Sequence, residues 1–237
     1  MDKTRRAFLT SALAISAGGF ASLDTPAAEK TPKSAGTNPH AGSDEGDVTP
    51  TEDLMREHGV LNRILLIYDD AANRLSGNQH FPREVIVKAA GHIREFIENY
   101  HEKSEEGDIF PRLEKAGKLT DLVATLRQQH AAGRKVTANI LAMTESDKVM
   151  GENRQKLGAA LNAFVRMYRP HEAREDTVVF PTFRKIVSER EMDEIGEKFE
   201  DLEHKLFGKE GFEGVVAQVA DLEKQIGIYD LNQFTPS

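Results

Sequence analysis

Two segments of this chain repeat one another. HEKSEEGDIFP (101–111) and HEAREDTVVFP (171–181) share His, Glu, Glu and Phe-Pro at the same offsets. A more distant histidine precedes each, in the contexts Glu57-His58 and Gln129-His130. The spacing between copies is 70 residues at His101/His171 and 72 at His58/His130. Such a chain reads as a doubled helix pair, each half giving one lone His and one His-xxx-Glu around a pseudo-twofold axis.

The surrounding periodicity is helical. Leu54, His58, Leu61, Leu65, Tyr68 and Ala72 recur at alternating steps of four and three, which is one face of a helix. Thr49-Pro50-Thr51-Glu52 supplies a capping box and a first-turn proline, and SGNQHFP (76–82) breaks the run. A second helix is predicted from about Pro82 to Gly107, with Ile86, Ala90, Ile93, Ile97, His101 and Glu105 on one face. A third is predicted from about Leu119 to Glu145, through Val123, Leu126, His130, Gly133, Thr137 and Ile140. A fourth runs from about Glu152 to Val187, through Leu157, Leu161, Phe164, Tyr168, His171, Glu175 and Val178. Pro111, Pro170 and Pro181 are read as local breaks or kinks. Ser188 to Glu191 is expected to cap a further helix ending near Gly208, with a last helix over Phe212 to Ile226. The fold class is therefore all-α: an up-down-up-down four-helix bundle over 51–187 with additional helices in a C-terminal extension, 188–237.

Ahead of the bundle, MDKTRRAFLTSALAISAGGFASL places Arg5-Arg6 before a mildly apolar stretch broken by Gly18-Gly19. Residues 1–28 are read as a twin-arginine signal peptide, short and weak for a membrane span, so no stable membrane insertion is expected after its removal. Residues 29–50, rich in Pro, Gly, Ser and charge, read as a flexible linker. The expected location is the periplasm.

A formal net charge of -8 and the absence of a basic stripe argue against nucleic acid as a partner. There is no cysteine, which excludes disulfides, zinc-thiolate sites and Cys-ligated iron–sulfur clusters. Any metal must be held by His, Asp or Glu. A lone His on an apolar face is usually a packed core residue. Four of them, one on each helix of a bundle, are costly to bury without a shared partner. His101 and Glu105, like His171 and Glu175, stand one helical turn apart on one face. Two metals would each take two His and one oxygen from each of two bridging carboxylates, leaving positions for an oxo or hydroxo bridge, solvent and substrate. Imidazole with carboxylate suits iron, manganese or zinc.

His58, His101-xxx-Glu105, His130 and His171-xxx-Glu175 resemble the hemerythrin-like, or HHE cation-binding, domain over about residues 51–187. The resemblance implies a non-haem di-iron site: two iron ions, oxo- or hydroxo-bridged, with His58, His101, His130 and His171 as terminal ligands and Glu105 and Glu175 as bridges. Oxygen-carrying members have His-xxx-His on the third helix and His-xxxx-Asp on the fourth. Here Arg134 stands where the fifth histidine would be, and Asp176 stands beside Glu175. Either carboxylate is a candidate for the second bridge, and the repeat with Glu105 favours Glu175. Glu102, Glu106 and Glu172 are read as solvated groups or as supports for ligands. Tyr100 and Tyr168 are read as core packing, or as hydrogen-bonding or radical-quenching groups at the iron. His40, His80, His92 and His204 are left outside the site. The implied function is to bind or react with oxygen, nitric oxide or peroxide. The alternatives are a peroxidase or nitric oxide reductase, whose electron donor the sequence does not name, and an iron-sensing or iron-donating protein.

Overall fold

A computed structural model of the chain describes residues 48–236. The expected signal peptide and almost all of the expected linker lie outside the described residues.

Helix α1 (Pro50–Ser76) begins as its sequence dictates: the Thr49 side chain accepts from the Glu52 amide, and the Glu52 carboxylate accepts from the Thr49 N–H at 3.0 Å. Helix α2 is composite. It starts as Arg83–His92, widens into a π-helical segment, Ile93–His101, and passes through Glu102–Ser104. A second π segment, Glu105–Ile109, follows, and the helix finishes as Phe110–Lys115. Helices α3 (Thr120–Met143) and α4 (Asp147–Glu152) follow. Helix α5 runs as Arg154–Arg174, a π segment Glu175–Val179, and Phe180–Phe183. Helices α6 (Glu189–Phe207), with its own Ser188/Glu191 capping box, and α7 (Gly211–Ile226) follow, and a short 3-10 helix, Leu231–Phe234, comes after them.

Three expectations change here. The second helix does not end at Gly107, and Pro111 and Pro181 do not break their helices. Each proline sits in the first turn of the α segment that follows a π segment, where its missing N–H is not required. The π segment also shifts the inward register, so that past Glu175 the fully buried position is Val179, while Val178 is only half-buried.

Helix α1 packs against α2 and α5, and α3 packs against α2 and α5, which closes a four-membered ring; α6 and α7 lie on α1, and α7 also on α2. The core forms two apolar clusters. One holds Leu61, Leu65, Tyr68, Ile97, Tyr100, Phe164 and Tyr168, and takes in Val215, Val219 and Leu222 of α7. The other holds Leu54, Ile109, Phe110, Leu126, Val179, Phe180 and Phe199. Along each bundle helix the chain passes from one cluster to the other at its histidine.

Candidate metal centre

Helix α1 supplies His58, α2 His101 and Glu105, α3 His130, and α5 His171 and Glu175. All six are buried, none more than 4% exposed. Their Nε2 atoms turn towards the two carboxylates. Glu175 Oε2 lies 3.1 Å from His171 Nε2 and 3.4 Å from His58 Nε2. Glu105 Oε2 lies 3.5 Å from His130 Nε2 and 3.6 Å from His101 Nε2. The rings pair within each half of the chain: His58 with His101, centroids 4.7 Å apart, and His130 with His171, centroids 4.9 Å apart. Each carboxylate therefore reaches both pairs.

None of the four oxygens of Glu105 and Glu175 has a hydrogen-bond partner. Buried without hydrogen bonds, such atoms are expensive, and only the neighbouring imidazoles offset the charge of Glu175. A cation placed among the Nε2 lone pairs and these oxygens satisfies the whole set at once. Of the four groupings among the described residues whose donor atoms lie close enough to share an ion, two are drawn from these six: His58, His101, Glu105 and Glu175, and His130, His171 and Glu175.

The other ring nitrogens are all occupied. His101 Nδ1 lies 2.7 Å from Glu57, His171 Nδ1 2.8 Å from the Gln129 side-chain carbonyl, His58 Nδ1 2.7 Å from Asp176, and His130 Nδ1 3.1 Å from Glu106. An oxygen acceptor at Nδ1 sets that nitrogen as the donor and leaves the Nε2 lone pair for a cation. These contacts follow the sequence duplication. The residue before each lone histidine, Glu57 or Gln129, braces the His of its own half. The residue after each inward Glu, Glu106 or Asp176, braces the lone His of the other half. Phe110 stacks on the His130 ring at 5.6 Å and Phe180 on the His58 ring at 5.7 Å, again across the halves.

Electrostatics follow from burying this many ionisable groups together. Burial, and then the charge of Glu175, push the Glu105 carboxyl well above the usual range. Burial also opposes the charge of Glu175, but the His171 and His58 imidazoles hold it below that range. Burial, then His58, lowers His101 well below an ordinary imidazole. Burial works against a charged His58, yet Asp176 and Glu175 outweigh it and raise the group to about 10. Burial, then Asp53 and Glu203, push Glu57 well above its ordinary value. Glu106 is held low despite its burial, by His130, Lys103 and Arg134.

The structure thus gathers all six residues singled out from the sequence. Asp176 lies on the outer nitrogen of His58, while Glu175 points inward. Glu57 and Gln129 went unread as supports, although their place before each lone histidine was visible; Glu106 belongs with Asp176 rather than with solvated surface. Arg134 fills the space around Glu102 and Glu106, at 2.6 and 2.7 Å. The Tyr168 hydroxyl donates to Glu102 at 2.6 Å, and the Tyr100 hydroxyl to Glu203 of α6 at 3.4 Å. His80 and His204 are exposed and His92 half-buried, away from the cluster; His40 lies outside the described residues.

The family model for the hemerythrin HHE cation-binding domain matches residues 49–181, and matches again over 121–226. Uncharacterised proteins of Mycobacterium bovis and Mycobacterium tuberculosis are 48% identical over 212 residues, which is 86% of this chain and 83% of theirs. No solved structure matches the chain. A helical bundle whose inward histidines and glutamates form cation-ready clusters, matched by this family model across most of its length, belongs to the hemerythrin HHE cation-binding domain family, and that membership implies that it binds metal, namely iron.

Proposed function

We propose that the chain is a non-haem di-iron protein that binds or reacts with oxygen, nitric oxide or peroxide. His58 and His101 hold one ion, His130 and His171 the other, and Glu105 and Glu175 bridge them, with an oxo or hydroxo group completing the link. The observation that carries this reading is the set of four unpartnered carboxylate oxygens, arranged so that each carboxylate reaches both histidine pairs. Iron bound there supplies a coordination position and electrons for a small ligand. The protein's own part is to orient the four imidazoles through their Nδ1 acceptors and to keep bulk water out with Phe110, Phe180 and the two apolar clusters. Arg134, in place of a further histidine, leaves a position open on the His130 side, which favours reaction over reversible storage.

Iron content and the visible spectrum of the isolated protein test this. About two irons per chain, with near-ultraviolet bridge bands lost in His101→Ala and in His171→Ala, are expected. A protein without iron, or one whose iron is indifferent to both substitutions, would sink the reading. Oxygen, peroxide and nitric oxide added in turn identify the ligand. Sustained turnover with a reductant would mark an enzyme, and ready iron loss to a mild chelator an iron donor.

We also propose export to the periplasm by the twin-arginine route, on the strength of Arg5-Arg6 and the apolar stretch behind them. Replacing both arginines with lysine should leave the protein in the cytoplasm; unchanged export would rule the route out.

A further inference from the structure

The two halves match closely in their ligands but not in what stands behind them. At equivalent positions, His101 leans on Glu57 at 2.7 Å and His171 on Gln129 at 2.8 Å. One acceptor carries a carboxylate, the other a neutral amide. The second pair of supports differs as well. Asp176, behind His58, meets no Lys or Arg at ion-pair distance among the described residues. Glu106, behind His130, is flanked by Lys103 at 2.7 Å and Arg134 at 2.7 Å. Further out, Asp53 and Glu203 have oxygens within 4.8 Å of a Glu57 oxygen. Behind His58 and His101 both acceptors are thus carboxylates, Asp176 and Glu57, and beyond Glu57 stand Asp53, paired with Arg56 at 3.4 Å, and Glu203, which accepts from Tyr100. Around His130 and His171 the acceptors are either neutral or already paired with cations.

We infer that the two ion positions are inequivalent: the His58/His101 position fills first and holds its ion more tightly, and the His130/His171 position fills second and exchanges. This inference rests on the dinuclear reading above. A carboxylate accepting from Nδ1–H makes the opposite nitrogen a stronger donor, and its charge attracts the cation directly. Gln129 has no charge to offer. Loss of such a support lowers metal affinity by about 10–100-fold.

The test is an anaerobic titration of the metal-free full-length protein with ferrous iron, followed by release of the loaded iron to a chromogenic ferrous chelator. Two binding steps at least about tenfold apart are expected, with one equivalent released fast and one slowly. Gln129→Glu, nearly isosteric, should tighten the weak step by about tenfold and slow the fast phase, leaving the tight step in place. Glu57→Gln should weaken the tight step by about 10–100-fold. Two equivalents bound in a single step, or substitutions that move the opposite steps, would overturn the order of filling while leaving the dinuclear centre intact. Fewer than two equivalents bound by the wild-type chain would overturn the dinuclear reading itself, and the order with it. Circular dichroism of each variant separates a lost step from a lost fold.

Discussion

Gly133 lies three residues beyond His130 on α3, and a side chain there would collide with the Tyr168 hydroxyl. The absent Cβ lets that phenol reach Glu102, whose other oxygen meets Arg134, which in turn holds the Glu106 carboxylate behind His130. Gly133→Ala gains about 1 kcal/mol of helix propensity but forces overpacking that costs about 1–3 kcal/mol. A net loss of up to about 2 kcal/mol in denaturant unfolding is expected, smaller when Tyr168→Phe removes the hydroxyl. A variant as stable as the wild type would mean that the notch is not needed. The inward residues were legible because histidine is rarely placed on four apolar stripes at once. The tie from Tyr168 to His130 was not. It depends on which side chains meet across helices, and sequence offsets within one helix do not report that.

At the scale of the element, helix starts were readable and helix interiors were not. Thr49 and Ser188 announce their helices through capping boxes that the structure contains. Thr49→Ala should therefore destabilise the fold by about 1 kcal/mol in thermal or denaturant melts, with metal content unchanged. Loss of metal from this variant would instead tie the entry of α1 to the centre. The π segments that begin at Glu105 and Glu175 had no comparable signal. A period of 3.6 residues assumes regular hydrogen bonding, so one widened turn displaces every later position. Gly107 looked like a stop, and Val178 looked inward, for the same reason. The duplicated Phe-Pro pairs were the trace these turns left in the sequence. Wide turns of this kind recur at functional sites, where they re-aim side chains that a straight helix would misplace.

For the molecule as a whole, the centre joins all four bundle helices at the boundary between the two apolar clusters. Six buried histidines and glutamates converge there, and an ion that binds only the folded state stabilises it by mass action. At free metal near 1,000 times Kd this amounts to about 4 kcal/mol, and the melting temperature should rise by on the order of 10 °C. Calorimetry before and after chelation checks this; identical melting would show that binding and folding are not coupled. The C-terminal helices extend the same construction. Glu203 on α6 accepts from the Tyr100 hydroxyl and, at 3.0 Å, from the Phe212 amide of α7, in space that a side chain at Gly211 would fill. Their amphipathic pattern was visible in the sequence; their grip on the residue beside His101 was not.

The crossed supports, His58 with Asp176 and His130 with Glu106, carry a consequence for any severed half of this protein. One helix pair alone owns two imidazoles and one inward carboxylate, but braces only a single imidazole from its own residues. It also lacks the phenylalanine that floors its lone histidine. The missing parts are those that a second, inverted helix pair would present. A half-chain could complete the geometry only by associating with another, so the covalent connection between the halves serves here as a built-in substitute for dimerisation.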